Sequence, residues 1–347
     1  MPDSMRVAMY YTNKDIRIER LPVPRVGDGE LLLKIRSSGV CGSDVMEWYR
    51  RHKAPLVLGH EVAGEVVEAG RGVERFAAGD RVVVSHHVPC MTCHHCMMGH
   101  ETACDTLRST NFDPGGFGEY VRIPAINVRT GTYRIPENVS NDEATFAEPV
   151  ACVLRGQRRA NLKPGCSVLV IGSGISGILH IAAAAAQGAG TIVATDLSSH
   201  RLDLARRFGA GYAFSARDYA PDRLRDVNDG RLADVVITTA SARSALEQAL
   251  ASVERGGTVL FFAPTGPDET IPLSINDVFW RNDVTLTTSY AGAPAEHVTA
   301  LNMIAAGRLS VKEMITHRFD LDGTQDAFAL VASGGESLKV IVHPHGD

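Results

Sequence analysis

The stretch V-L-V-I-G-S-G-I-S-G, residues 168–177, decides the fold of the second half of this chain. Its first four residues are apolar and predict a buried strand. Three glycines follow at the spacing G-x-G-x-x-G: Gly172, Gly174 and Gly177. The Ala-rich run 178–187 then predicts a helix. Strand, glycine turn and helix in this order are typical of a dinucleotide-binding unit, in which the pyrophosphate lies on the helix N-terminus.

The next apolar strand, T-I-V-A-T at 191–195, is followed directly by Asp196. A carboxylate there accepts hydrogen bonds from the adenosine ribose and repels a 2′-phosphate, so Asp196 favours NAD over NADP. Arg201 follows five residues after Asp196, and its positive charge weakly favours NADP instead. Thr239 ends a later strand, where ligands bind in doubly wound sheets, although an ordinary loop position is as good an interpretation. The predicted cofactor-binding residues are Gly172, Gly174, Ile175, Ser176, Gly177, Asp196, Arg201 and Thr239.

Charge and hydropathy exclude several classes of partner. The net charge of −5 and the pI near 6.2 give no reason to expect nucleic acid. The most apolar window, 168–186, is interrupted by the motif glycines, so a membrane helix is not expected. The N-terminal sequence lacks the apolar core of a signal peptide. We therefore expect a cytoplasmic protein that acts on a small molecule.

Four of the seven cysteines lie between residues 90 and 104, in the pattern C-x2-C-x2-C-x7-C. Four thiolates on one short loop match a closed, tetrahedral structural zinc site. An iron–sulfur cluster uses a related run, but with a shorter last gap and a proline after it. The predicted structural zinc ligands are Cys90, Cys93, Cys96 and Cys104.

A second metal site is indicated by ligand types gathered from separate segments. Cys41 lies in V-C-G-S-D, His60 and Glu61 lie in G-H-E, and Glu148 lies in F-A-E-P-V. Three or four ligands from distant points describe a catalytic zinc with room for substrate. On ligand types alone, buried and inert side chains are an equally good interpretation.

The periodicity divides the chain in two. Residues 1–150 begin with short strands separated by Pro and Gly, which favours a β-rich domain. From 151 to 286, strands alternate with helices, which predicts a doubly wound parallel sheet. The fold class is therefore α/β.

Several motifs in register give a resemblance that covers essentially the whole chain. C-G-S-D, G-H-E, the four-cysteine loop, A-E-P, the glycine turn and T-H-R-F occur in the order found in zinc-containing medium-chain alcohol dehydrogenases. The sequence resembles most the polyol branch, sorbitol dehydrogenase and its relatives, with L-threonine dehydrogenase as a near neighbour. The resemblance implies a GroES-like catalytic domain, to which residues 287–347 return, and a Rossmann NAD-binding domain.

The resemblance also assigns roles at the matching positions. Cys41, His60 and Glu61 would bind a catalytic zinc, and Glu148 would reach it directly or through water. Ser43 would contact the substrate oxygen and begin a proton relay. Asp44 would orient the zinc-binding histidine, a role that is also sound chemically because a carboxylate behind a ligating His fixes its tautomer. A turn-capping side chain is the simpler interpretation of Asp44.

One departure from the family concerns the proton relay. The family usually has a His five residues after the ligating Cys, and here that residue is Met46. A thioether does not pass a proton, so another route is needed, for example through Glu148 or Glu47 and water. Trp48 and Phe112 are weak candidates for substrate contacts. The basic run 50–53 is most simply a solvated loop, and the alternative is a site that prefers an anionic or highly hydroxylated substrate.

The resemblance implies NAD- and zinc-dependent oxidation of a secondary alcohol, with a polyol, cyclitol or sugar alcohol as substrate. A hydroxy amino acid such as L-threonine is the alternative substrate. A non-enzymatic, NAD-binding structural or sensing relative is opposed by the complete set of metal ligands. The resemblance also implies a homo-oligomer, because members of the family are usually dimers or tetramers.

Overall fold

The computed structural model describes residues 2–346, which form two compact units. The first unit runs to Ala151 and resumes at Ala291, and the second unit is Cys152–Tyr290. The second unit is therefore an insertion in the sequence of the first. None of the helices in residues 2–346 is long and apolar enough to cross a membrane.

The first unit is β-rich. Its strands are β1 (Ser4–Thr12), β2 (Asp15–Pro22), β3 (Leu31–Val40), β4 (Leu56–Val57), β5 (Glu61–Ala69), β6 (Arg81–Ser85), β7 (Tyr120–Ile123), β8 (Thr132–Arg134), β15 (Ile315–Asp320) and β16 (Lys339–His343). A three-stranded sheet has the order β2-β1-β4. A seven-stranded sheet has the order β15-β16-β3-β5-β6-β8, with β7 also paired to β3. The apolar faces of these strands form two buried clusters.

Short helices connect these strands. They are α1 (Glu47–Arg50), α2 (His94–Met97), α3 (Asp105–Ser109), α4 (Ala125–Gly131), α5 (Asn141–Ala144), α12 (Pro294–Ala305) and α13 (Thr324–Ser333). Helix α6 (Ala147–Arg159) begins in the first unit and ends in the second. The start of α5 is fixed by a capping box, because Ser140 and Glu143 each bond the other's backbone N–H.

The second unit contains a six-stranded parallel sheet. Its strands are β9 (Val168–Ile171), β10 (Ile192–Asp196), β11 (Tyr212–Ser215), β12 (Ala233–Thr238), β13 (Val253–Phe261) and β14 (Thr285–Thr288). The strand order is β11-β10-β9-β12-β13-β14, and all the pairs are parallel. The first strand of the unit, β9, lies at the centre. The chain adds strands first on one side of β9 and then on the other, as in a Rossmann sheet. The predicted α/β fold class is confirmed.

The helices of the second unit follow its strands. They are α7 (Ile175–Ala186), α8 (Ser199–Arg207), α9 (Pro221–Val227), α10 (Arg243–Ser252) and α11 (Ile275–Val278). Helix α7 begins three residues earlier than its Ala-rich composition suggests, because the extended backbone at Gly174 caps it directly. The apolar strands and the inner faces of α9 and α10 form the core of this unit.

Candidate metal centres and cofactor site

Strand register brings the first group of predicted ligands together. β3 and β5 are antiparallel, and Gly39 lies opposite Glu61. The residues just beyond these positions, Cys41 after β3 and His60 before β5, therefore lie at the same end of the sheet. The backbone of Gly39 leaves room for the Glu61 carboxylate, with which an added Cβ would overlap.

Cys41, His60 and Glu61 form a group whose ligand atoms all lie within 4.8 Å of one another. Glu61 is fully buried and His60 is nearly so. The Oε1 atom of Glu61 has no hydrogen-bond partner among residues 2–346. A buried, unpartnered carboxylate oxygen beside a thiol and an imidazole is costly without a cation, because burying an unpaired polar atom is unfavourable. Cys, His and Glu are all zinc ligands, so the residues present fit this metal.

Asp44 supports this group from behind. Its Oδ2 accepts a hydrogen bond from the Cys41 N–H at 3.0 Å, and its Oδ1 lies 3.2 Å from His60 Nδ1. Burial raises the pKa of Asp44, but the neighbouring His60 outweighs this and the pKa is lowered overall. Burial lowers the pKa of His60, but its interactions with Asp44 and Cys41 outweigh burial and raise that pKa well above the ordinary value. This negative field favours a cation, and the Asp44 contact leaves His60 Nε2 to bind it.

Sequence reasoning missed Lys339, which lies at the start of β16. Val340 is paired with Val40, so Lys339 lies opposite the end of β3. Its side chain is 1% exposed, and its Nζ forms an ion pair with Glu61 Oε2. Burial alone lowers the pKa of Lys339, but Glu61 raises it above the ordinary value, so the side chain stays an ammonium. A lysine within an otherwise apolar strand was the signal in the sequence.

The predicted catalytic residues take different positions around the group. The Ser43 Oγ lies 3.4 Å from Cys41 Sγ. Glu148 is buried in the first turn of α6, and its charge contributes to the raised pKa of Lys339. Among residues 2–346, Glu148 does not belong to the group whose ligand atoms lie within 4.8 Å of one another. Glu148 therefore lies outside the compact group that Cys41, His60 and Glu61 form.

His86 is a second residue that sequence reasoning missed. Ser85 ends β6 opposite Glu61, which places His86 beside the metal-binding group. Its ring centroid lies 4.8 Å from that of His60 and 6.1 Å from that of Phe112. Burial lowers the pKa of His86 well below the ordinary value, so the imidazole is neutral. Its Nδ1 is buried and has no hydrogen-bond partner in the part of the chain that the structure describes.

The two predicted aromatic contacts differ in exposure. Phe112 is buried in the core of the larger sheet of the first unit, and the planes of its ring and the His86 ring are inclined by 65°. Trp48 on α1 is 51% exposed, and its ring lies 5.9 Å from that of Tyr49. Phe112 is thus close to the metal-binding group through His86, whereas Trp48 lies on the surface.

The four cysteines of the loop 90–104 form the second metal-binding group, with sulfur atoms within 4.8 Å of one another. Two Sγ–Sγ distances, Cys93–Cys96 and Cys90–Cys104, are 3.6 Å. Sulfurs at the corners of a zinc tetrahedron lie about 3.8 Å apart, given Zn–S bonds of about 2.3 Å. Hydrogen bonds to the Cys90 sulfur, chiefly from Thr92, lower the pKa of Cys90 to about 5. The lowered pKa favours the thiolate form. The loop therefore fits a closed structural zinc site.

Each glycine of the motif in the second unit has a different structural reason. Gly172 has a φ of +93°, which favours glycine. A Cβ on Gly177 would overlap the Gly172 carbonyl oxygen, so α7 packs closely on the turn only because Gly177 lacks a side chain. A Cβ added at Gly174 would have ample room, because its nearest neighbour is Arg201 Nη1 at 3.8 Å. Only at Gly174 does the missing side chain leave backbone that a ligand can approach.

The other predicted cofactor-binding residues surround this turn. Asp196 accepts hydrogen bonds from the backbone N–H groups of Ser173, at 2.7 Å, and Ser198, at 2.9 Å. The Thr239 hydroxyl donates to the Gly172 carbonyl at 2.8 Å. Ile175 and Ser176 form the first turn of α7, where backbone N–H groups are free of intrahelical partners. These residues form a helix N-terminus of the kind that binds anions, with a carboxylate at the end of the adjacent strand.

The chain joins a Rossmann unit that contains this turn to a β-rich unit that has two cysteine-containing metal-binding groups. This combination defines a metal-dependent dehydrogenase. Two families match the sequence: the alcohol dehydrogenase GroES-like domain over residues 27–136, and the zinc-binding dehydrogenase family over residues 176–306. The chain is 32% identical to the sorbitol dehydrogenase of Bacillus subtilis (strain 168), with 99% of each sequence covered.

Two further comparisons agree. The chain is 32% identical to the L-threonine 3-dehydrogenase of Pseudoalteromonas atlantica, covering 97% of this chain and 99% of that sequence. A solved alcohol dehydrogenase from Escherichia coli CFT073, complexed with NADH, is 25% identical, has a TM-score of 0.87 and covers 99% of this chain and 100% of its own. The chain belongs to the zinc-binding alcohol dehydrogenase family. It is a zinc-dependent oxidoreductase that transfers hydride between a nicotinamide dinucleotide and a small alcohol.

Proposed function

We propose that the protein oxidises a secondary alcohol of a polyol, cyclitol or sugar alcohol to the ketone, with reduction of NAD, and also runs in reverse. The observation that carries this proposal is the buried group of Cys41, His60 and Glu61 with the Ser43 hydroxyl beside it. A three-residue ligand group leaves a zinc position open for substrate, whereas the four-cysteine loop closes its metal completely.

The protein's own residues have separate tasks in this reaction. Cys41, His60 and Glu61 would hold the catalytic zinc, which when bound supplies a Lewis acid that lowers the pKa of an alcohol hydroxyl. Asp44 holds the His60 ring in the orientation that presents Nε2. Ser43 takes the hydroxyl proton of the substrate. Glu148, which lies outside the three-residue group, would reach the zinc position through water.

NAD is the preferred cofactor in this proposal. Gly174 lets the pyrophosphate approach the backbone, and the N-terminus of α7 with Ile175 and Ser176 binds it. Asp196 stands at the end of β10, where it accepts a hydrogen bond from the ribose and repels a 2′-phosphate. Arg201 lies near Gly174 and supports the anionic part of the cofactor.

The position of His86 favours the proposal that the substrate has more than one hydroxyl group. Its neutral ring carries a buried, unpartnered nitrogen close to the metal-binding His60. A site that binds a substrate hydroxyl through such a nitrogen discriminates against an analogue without that hydroxyl, because the nitrogen is then buried unpaired. A polyol satisfies it, and a simple secondary alcohol does not.

The experiment is an NAD reduction screen on sorbitol, xylitol, an inositol, L-threonine and 2-propanol, with zinc quantified on the same sample. We expect kcat/KM to be highest on a polyol or cyclitol, and we expect His86→Phe to lower that value while leaving 2-propanol oxidation unchanged. Faster turnover of L-threonine than of every polyol would favour the alternative, which the L-threonine 3-dehydrogenase relative also supports. Equal loss on 2-propanol would reject the role of His86.

We also propose that the protein is a homo-oligomer, at least a dimer. Strand β14 is at the edge of the six-stranded sheet, and such an edge can pair with another copy. Ile275 and Trp280, just before it, are each 66% exposed. Light scattering should give a multiple of the monomer mass, which Trp280→Glu lowers; a monomeric wild type would refute this proposal.

A cytoplasmic location is proposed from the cysteine chemistry. None of the seven cysteines, all within residues 2–346, is in a disulfide, and four of them form a metal-binding group. Reduced thiols of this kind persist where glutathione and thioredoxin act. Fractionation of the native host should recover NAD-dependent activity in the cytoplasmic fraction, and recovery outside that fraction would contradict the assignment.

A further inference from the structure

Arg50 is the member of the basic run 50–53 that does not behave as a solvated loop residue. It ends α1, and its side chain is only 15% exposed, whereas Arg51, His52 and Lys53 are exposed. Arg50 Nε donates a hydrogen bond to the Ser43 carbonyl oxygen at 2.9 Å. Its Nη2 donates to Ser43 Oγ at 3.1 Å. The guanidinium therefore holds both the backbone and the hydroxyl of Ser43.

A structural ion pair with Asp44 does not account for this geometry. Arg50 Nη2 lies 3.6 Å from Asp44 Oδ1, farther than from Ser43 Oγ. Asp44 already has closer partners, since the Cys41 N–H donates to it and His60 Nδ1 lies 3.2 Å from it. The shortest contacts of the Arg50 guanidinium are thus with Ser43.

The contact fixes the direction of the Ser43 hydroxyl. Arginine is a donor only, so Ser43 Oγ accepts from Arg50 and its own hydrogen points elsewhere. The Ser43 hydroxyl donates that hydrogen to the Cys41 sulfur, which lies 3.4 Å from Ser43 Oγ. With its hydrogen on the Cys41 sulfur and one lone pair on Arg50, Ser43 Oγ keeps a second lone pair to accept from a substrate hydroxyl.

Arg50 does not replace the relay histidine that is absent at Met46. Its guanidinium stays protonated in proteins, so it cannot accept the substrate proton. What it supplies is a fixed positive charge beside the oxygen through which the proton passes. Such preorganised charge is most effective where negative charge develops during the reaction.

We propose that Arg50 is a positioning residue for the dehydrogenase reaction: it orients the Ser43 hydroxyl and stabilises negative charge that develops on the substrate oxygen. The substrate O–H bond breaks with its electron pair left on oxygen, Ser43 Oγ takes the proton, and the proton of Ser43 passes to solvent water. This role rests on the proposed function of the Cys41, His60 and Glu61 group.

The test compares Arg50→Met and Arg50→Lys with the matched control Arg51→Met in the zinc-loaded, full-length protein. Arg50→Met should lower kcat for the best alcohol about 10- to 100-fold, the worth of a charged hydrogen bond. KM, zinc content and NADH affinity should stay near the wild-type values. Arg50→Lys should recover part of the loss, and millimolar guanidinium ion should recover part of it in Arg50→Met alone. Arg51→Met should resemble the wild type.

The outcomes separate the two proposals. A wild-type protein that reduces no NAD with any alcohol overturns the proposed function and this assignment together. Normal wild-type turnover with an unchanged kcat in Arg50→Met overturns the role of Arg50 alone. Loss of zinc or of thermal stability in Arg50→Met, with no recovery in Arg50→Lys or with guanidinium, also overturns it, because a structural role would give that result.

Discussion

Substitution of Gly174 by alanine should weaken cofactor binding without destabilising the protein. Gly174 has φ −68° and ψ −173°, which any L-residue adopts. An added Cβ meets nothing closer than Arg201 Nη1 at 3.8 Å. Alanine at the N-cap costs roughly 0.5–1 kcal/mol relative to glycine, and restriction of the unfolded chain offsets about 0.4–1 kcal/mol. The free energy of unfolding should therefore change by less than about 0.5 kcal/mol.

The effect on the cofactor is large in comparison. The new methyl group stands where the backbone would approach the pyrophosphate, so the NADH dissociation constant should rise at least about tenfold. Gly177→Ala is the matched control. Its Cβ would overlap the Gly172 carbonyl oxygen and lie 3.1 Å from Thr239 Oγ1, so the backbone must shift. Overpacking of this kind costs about 1–3 kcal/mol.

Urea unfolding followed by circular dichroism measures the stability of both variants, and NADH fluorescence titration measures the affinity. The expected pattern is a stable Gly174→Ala protein with weak NADH binding and a destabilised Gly177→Ala protein. Wild-type NADH affinity in Gly174→Ala would refute the assignment of the turn. A loss of stability in Gly174→Ala as large as in Gly177→Ala would refute the geometric reasoning.

Three other predictions concern single residues. Cys96→Ser should remove one zinc per chain and lower Tm, while NADH affinity is retained; unchanged zinc content by atomic emission would contradict the four-thiolate site. Asp196→Ala should raise kcat/KM with NADP relative to NAD by about tenfold or more, because a repelling carboxylate is lost; an unchanged ratio would reject its role. Burial lowers the pKa of His180 to about 3, so the unfolded chain binds one more proton than the native protein between pH 6.5 and 3, and stability falls as pH falls through that window. His180→Met should therefore flatten the decline measured by urea unfolding by up to about 1.4 kcal/mol per pH unit, and an unchanged slope would contradict this.

The parts of the molecule that the sequence predicted well are local in sequence. Strand β9, the glycine turn and α7 follow one another within 20 residues, and their glycines are required by the geometry of one turn. The four cysteines likewise lie on one short loop, so their spacing alone brings the sulfurs together. In both cases the residues named here lie on one continuous segment, although the cofactor site also includes Asp196 and Thr239 from later segments.

The parts that the sequence did not predict depend on strand register. Lys339 reaches Glu61 because β16 pairs with β3, although 278 residues separate them in the chain. His86 lies beside His60 because β6 pairs with β5. Arg50 looked like its exposed neighbours, and only the short helix α1 turns it back onto Ser43. Pairings of this kind require the whole sheet to be known, so composition and spacing do not reveal them.

Metal content measured together with NAD reduction in Cys41→Ser tests the central claim most directly. The wild-type protein should contain two zinc ions per chain and reduce NAD with an alcohol substrate. Cys41→Ser should contain one zinc ion, bind NADH normally and give no turnover. Two zinc ions in the variant, or turnover at the wild-type rate, would contradict a catalytic zinc held by Cys41, His60 and Glu61.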